Sequence, residues 1–86
     1  MIVFVPTPIQ NYTGGLARVD GAGSTLAEVL ADLDVRYPGI RNRIIDEQGR
    51  IREHMKLFVN ADHATGLAHR VTEGDAVSII AALSGG

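Results

Sequence analysis

The sequence has no cysteine, no tryptophan, a single lysine and only four aromatic residues in 86 positions. Without cysteine there is no disulfide framework, no thiolate metal site and no cysteine nucleophile. No run approaches the roughly 20 apolar residues of a membrane span, and the start, Met1-Ile2-Val3-Phe4-Val5-Pro6, lacks a basic leader, so a cytoplasmic domain is expected. Charge of one sign is also scarce, with a formal net of −2. What is present is apolar: 45% of residues are hydrophobic, which excludes general disorder. The length allows one domain over residues 1–86. A chain this short buries only about 60–65% of its unfolded surface, so modest stability is expected.

The charge is unevenly distributed. Arg36, Arg41, Arg43, Arg50, Arg52 and Lys56 face only Asp46, Glu47 and Glu53 within their stretch, a local +3, and the remainder carries −5. Nucleic-acid binders concentrate more positive charge and interleave aromatics with it, whereas only Tyr37 and Phe58 lie nearby. The stretch therefore reads as solvated surface or as a docking patch for protein, not as a nucleic-acid site.

Residues 1–5 are an apolar, β-branched run stopped by Pro6-Thr7-Pro8, whose prolines end regular pairing. Residues 9–13 are expected to continue irregularly to a turn at Gly14-Gly15, and residues 16–20 alternate as a second, antiparallel strand. Thr25 with Glu28 forms a capping box, and Leu26, Val29, Leu30 and Leu33 draw one apolar stripe on a helix of about three turns. Pro38-Gly39 ends it. A short helical turn over 40–45, a turn at Asp46-Glu47-Gln48-Gly49 and a strand over 55–60 follow. A short edge strand over 67–71 is expected, then a tight turn at Thr72-Glu73-Gly74-Asp75 with Gly74 left-handed, and a last strand over 76–83. An apolar sheet face needs a cover, and this chain has one amphipathic helix to supply it. The economical architecture is α+β: one helix across a four- to five-stranded mixed sheet, the β-grasp or ubiquitin-like arrangement.

No catalytic constellation emerges. His54, His63 and His69 do not have the i, i+4 spacing of a metal-binding helix, so no metal site is expected. Ser24, Ser78 and Ser84 stand in no nucleophile elbow, Asp46-Glu47 reads as a solvated turn, and the glycines lack phosphate-loop spacing. The chain itself is expected not to be an enzyme. The last two residues are different. Gly85 and Gly86 follow the final apolar strand, where glycine adds no stability. Two residues without side chains let an extended backbone thread a narrow channel and present a carboxylate to another active site. A carboxylate is a poor electrophile until adenylated; the acyl-adenylate then accepts sulfur or an amine.

With the β-grasp order, the segment Glu73-Gly74-Asp75-Ala76-Val77-Ser78-Ile79-Ile80-Ala81-Ala82-Leu83-Ser84-Gly85-Gly86 resembles the ubiquitin-like sulfur carrier family, and the resemblance covers essentially the whole chain. That family includes the molybdopterin synthase small subunit and the thiamin-pathway carrier. Pro6-Thr7 with Thr13-Gly14-Gly15, Asn60 with Asp62, and Gly66-Leu67 look more like the branch that supplies sulfide for cysteine synthesis from O-phosphoserine. Ala81 departs from the proline that many relatives have.

The resemblance implies a cycle in which a ubiquitin-activating-type adenylyltransferase activates the Gly86 carboxylate with ATP and a sulfur donor converts it to a thiocarboxylate. In the cysteine branch a pyridoxal-phosphate cysteine synthase takes up the sulfur, and a zinc metalloprotease releases cysteine and regenerates Gly86. ATP, pyridoxal phosphate and zinc would all belong to partners, with no cofactor held by this chain. Leu83, Ser84 and Gly85 would be the threaded tail. A sheet covered by one helix leaves its other face open, where Phe58, Ile80 and Leu83 are expected as a docking face. Tyr12 and Tyr37 are expected to be packing or helix-end residues. Three alternatives stay open: a molybdopterin synthase small subunit, a modifier joined to protein lysines, and a passive adaptor.

Overall fold

The structure is a computed structural model, and it describes residues 1–82. Five strands form one mixed sheet: β1 (Ile2–Phe4), β2 (Arg18–Asp20), β3 (Met55–Val59), β4 (Asp62–Ala64) and β5 (Ala76–Ala81). Their order across the sheet is β2-β1-β5-β3-β4. β5 is the middle strand, parallel to β1 and antiparallel to β3, and the outer pairs are antiparallel. This is the β-grasp expected from the order of elements.

Helix α1 (Leu26–Arg36) crosses one face of the sheet. Thr25 caps it by accepting from the Glu28 N–H at 3.3 Å, while the Glu28 carboxylate accepts from Ser24 N–H at 3.0 Å, one residue before the expected partner. The stripe Leu26, Val29, Leu30 and Leu33 is fully buried against Val3, Val19, Leu57, Val59, Val77 and Ile79 of the strands. Tyr37 ends α1, its N–H donating to Leu33 at 2.7 Å, and both tyrosines pack on the core. Helix α2 (Ile40–Ile44) is the expected short turn, and Asp34 accepts from the N–H groups of Gly39 and Arg41 at its start.

Four expectations are corrected. Residues Thr7–Thr13 form a 3₁₀ helix, not an irregular extension of β1. Pro6 stops the strand and stands as the N-cap, and Pro8 occupies the first turn, where a missing N–H costs nothing. Buried Ile9 thereby plugs the end of the core, and Gly14, at φ 67°, terminates the helix. The second correction concerns residues 67–71, which form no sheet strand. The carbonyls of Leu67 and His69 accept from the N–H groups of Ala27 and Leu26, the free donors of the first turn of α1. Arg70 makes only an isolated bridge to Thr25. Third, the fourth strand comes earlier, at Asp62–Ala64, because Asn60 takes the left-handed conformation (φ 56°) and turns the chain straight back along β3. Fourth, Gly74 is not left-handed; the described glycines with positive φ are Gly14, Gly15, Gly23, Gly39 and Gly49. The described part of the last strand ends at Ala81, short of the expected residue 83.

Candidate functional site

The sequence singled out Gly86, Gly85, Ser84 and Leu83, and these four lie outside the described residues. The structure does define the root from which they continue. The last strand, β5, is hydrogen-bonded on both sides, with Ala81 paired to Met55. Ala82 N–H then donates to the His54 carbonyl at 2.7 Å. The root is thus fixed by the centre of the sheet and not by an edge.

Among the described residues no helix covers the face of the sheet opposite α1. Register places Arg18, Phe4, Ser78, Phe58 and His63 in one outward row across all five strands. Phe58 and His63 stack with ring centroids 5.1 Å apart, and the Arg18 guanidinium carbon lies 5.9 Å from the Phe4 ring centroid. Toward the root, Ile80 sits beside Lys56 and is 44% exposed. The expected docking residues Phe58 and Ile80 therefore share this face, although His63 leaves Phe58 half-buried. Phe4 and Ile2, at 40% and 39% exposure, belong to the same apolar patch and were not foreseen. Residues 1–5 are apolar throughout, which hides the alternation that would have assigned them a face. Among outward strand positions the one carboxylate is Asp20, at the end away from the root and 3.5 Å from the Met1 amino group.

The other polar groups of interest hold turns. The Asp75 carboxyl is held below the usual carboxylate range by the hydrogen bond from the Asn60 side chain and then by the Thr72 N–H. Asp46 is lowered by the Arg50 N–H and then that of Gln48, both at 2.9 Å. Its carboxylate thus closes the turn that the sequence had shown as Asp46-Glu47. His63 stacks in the sheet face, His54 precedes β3 and His69 lies beside the start of α1, so the histidines do not converge. Among the described residues no cluster of three His, Cys, Asp or Glu side chains is placed to hold a metal ion, and no helix is long and apolar enough to cross a membrane.

The ThiS family model matches residues 3–86, the tail included. The chain belongs to the ThiS family. This ThiS-family chain is 35% identical to the sulfur carrier protein CysO of Mycobacterium tuberculosis over 98% of its own length and 96% of the relative's. It is also 35% identical to small archaeal modifier protein 3 of Haloferax volcanii, over 80% of this chain and 76% of that one. Its fold superposes with TM-score 0.90 on a chain in the crystal structure of the Amycolatopsis orientalis BexX/CysO complex, at 31% identity and covering 99% and 98% of the two chains. The ThiS-family protein is thus a β-grasp homologue of sulfur carriers, and the Amycolatopsis structure is one in which CysO is in complex with another protein.

Proposed function

We propose that this ThiS-family protein carries sulfide as a thiocarboxylate on Gly86 and delivers it to cysteine biosynthesis. The observation that carries this reading is the likeness to CysO, which runs over nearly the whole of both chains, together with a family match that extends to residue 86. The chemistry follows from the residue. A glycine carboxylate has no side chain to hinder attack, so an adenylating partner can join it to AMP with loss of pyrophosphate. A sulfur donor then displaces AMP and leaves sulfur on the former carboxyl carbon. A pyridoxal-phosphate partner takes the sulfur into a cysteine adduct, and a zinc metalloprotease restores the carboxylate by hydrolysis. Leu83, Ser84 and Gly85 form the threaded tail. The face bearing Phe4, Phe58 and Ile80 is the surface on which the partners seat, because an exposed apolar cluster beside the root is costly without one.

The test is the mass of the tryptic peptide of residues 71–86 from protein isolated from its native cell. That peptide holds no methionine, so oxidation cannot imitate the exchange of oxygen for sulfur. A thiocarboxylate or a cysteine adduct on Gly86 supports the reading. The Haloferax relative's name favours a second one, in which Gly86 is joined to a lysine of another protein; a peptide carrying a lysine remnant would select it. Deleting Gly86 should abolish sulfur transfer without lowering the melting temperature, and undiminished transfer by the truncated protein would sink the carrier reading.

A further inference from the structure

A notch of about 220 Å³ opens beside the root of the tail, lined by Arg43 of α2, His54, Met55, Pro8, Ala81 and Ala82. Arg43 is exposed and has no ion-pair partner among the described residues, where the ion pairs are Arg36 with Asp32 and the Met1 amino group with Asp20. The carboxylates flanking α2 are engaged with backbone: Asp34 with Gly39 and Arg41 N–H, Asp46 with Gln48 and Arg50 N–H. Neither neutralises the guanidinium. The Ala82 N–H, bonded to the His54 carbonyl at 2.7 Å, locks the notch to the point where the tail begins. We infer that this notch receives a carboxylate side chain from the rim of the channel that the partner opens for the tail. The inference rests on the proposed function, since it assumes that the tail is threaded.

Two considerations select this occupant. The four residues after Ala82 span at most about 14 Å when fully extended. A threaded tail thus places the reacting carboxyl one channel-length ahead of the notch, which meets the entrance and not the nucleotide. A guanidinium without an anion among the described residues, at a half-enclosed, partly apolar notch, is also matched best by a carboxylate, which it binds in bidentate fashion.

The test is ATP–pyrophosphate exchange by the purified ubiquitin-activating-type enzyme of the same cell, with this carrier as the varied substrate. Arg43→Glu should raise the KM for carrier about tenfold at low salt with kcat unchanged, and the penalty should shrink at high salt. Arg43→Lys should recover about half of the loss, on the logarithmic scale, as a monodentate cation would. Arg50→Glu makes the same change in net charge on an exposed turn and should alter KM less than about twofold. Thermal melts of each variant check the fold, and Arg43→Ala serves if Arg43→Glu melts early. A KM for Arg43→Glu within twofold of the parent, or an equal effect of Arg50→Glu, would overturn the notch. No exchange with the unmodified carrier would instead remove the proposed function, and the inference with it.

Discussion

Asn60 shows how much one side chain settles here. It adopts a left-handed conformation with φ 56°, donates to Asp75 at 2.9 Å and accepts from the Ala76 N–H at 3.0 Å. One residue therefore turns the chain from β3 into β4 and also pins the start of β5. Asn60→Ala should cost about 1–2 kcal/mol in urea unfolding, from the lost hydrogen bonds and the poorer fit of alanine to that backbone. Asn60→Gly should cost less, because it keeps the turn and loses only the side chain. Asp75, Asp46 and Asp32 all have carboxyl pKa values below the ordinary 3.8; for Asp32 the leading cause is the hydrogen bond from Arg36. A lowered folded-state pKa means the unfolded chain binds protons more readily. Their stabilisation is therefore complete above about pH 5 and is lost as pH falls through 3.8 and below. Urea midpoints measured from pH 7 down to pH 3 should fall on the acid side, and Asp75→Asn should flatten part of that fall. Gly23 is constrained in a different way. At φ 155° it lies against α1, where an added Cβ would stand 2.8 Å from the Val29 amide nitrogen. Gly23→Ala should cost about 2 kcal/mol or more, because the obstacle is backbone.

The elements differ in how openly the sequence declared them. Helix α1 was plain, since its cap and its stripe of Leu26, Val29, Leu30 and Leu33 follow local rules. Thr25→Ala should cost about 1 kcal/mol and Leu30→Ala about 2–5 kcal/mol, both readable in denaturant melts. The strands β3 and β5 were also legible through alternation, and the residues of one face, Leu57, Val59, Val77 and Ile79, are buried. Part of what escaped depended on partners distant in sequence. Residues 67–71 look like a strand, yet their carbonyls are taken by the first turn of α1. β4 is three residues long, and only the turn at Asn60 places it against β3. The 3₁₀ helix was masked because prolines signal interruption more strongly than they signal a helix start. The candidate site divides in the same way. Phe58 and Ile80 could be assigned from strand alternation, whereas Phe4 joins them only through the pairing of β1 with β5. The Arg43 notch required α2, β3 and the end of β5 to be brought together, and no spacing in the chain announces that.

At the scale of the whole molecule, charge and apolar surface are both polarised about the sheet. Arg43, Arg52 and Lys56 lie at the end where β3 begins and β5 finishes, and Asp20, Asp62, Glu73 and Asp75 lie toward the other end. Ile80→Asp on the open face should leave the melting temperature within a few degrees of the parent and weaken partner binding by about tenfold or more, measurable by calorimetry. The order of the sheet has one more consequence. The strand that joins its two halves is the last of the five to be synthesised, and β1 and β3 touch only through it. A chain that stops after β4 has two separate hairpin-like pieces with their middle edges bare. Nascent chains released after Asp75 should stay sensitive to protease, and those that include β5 should become resistant in one step. The order of synthesis thus leaves the sheet in two halves until the strand between them is available.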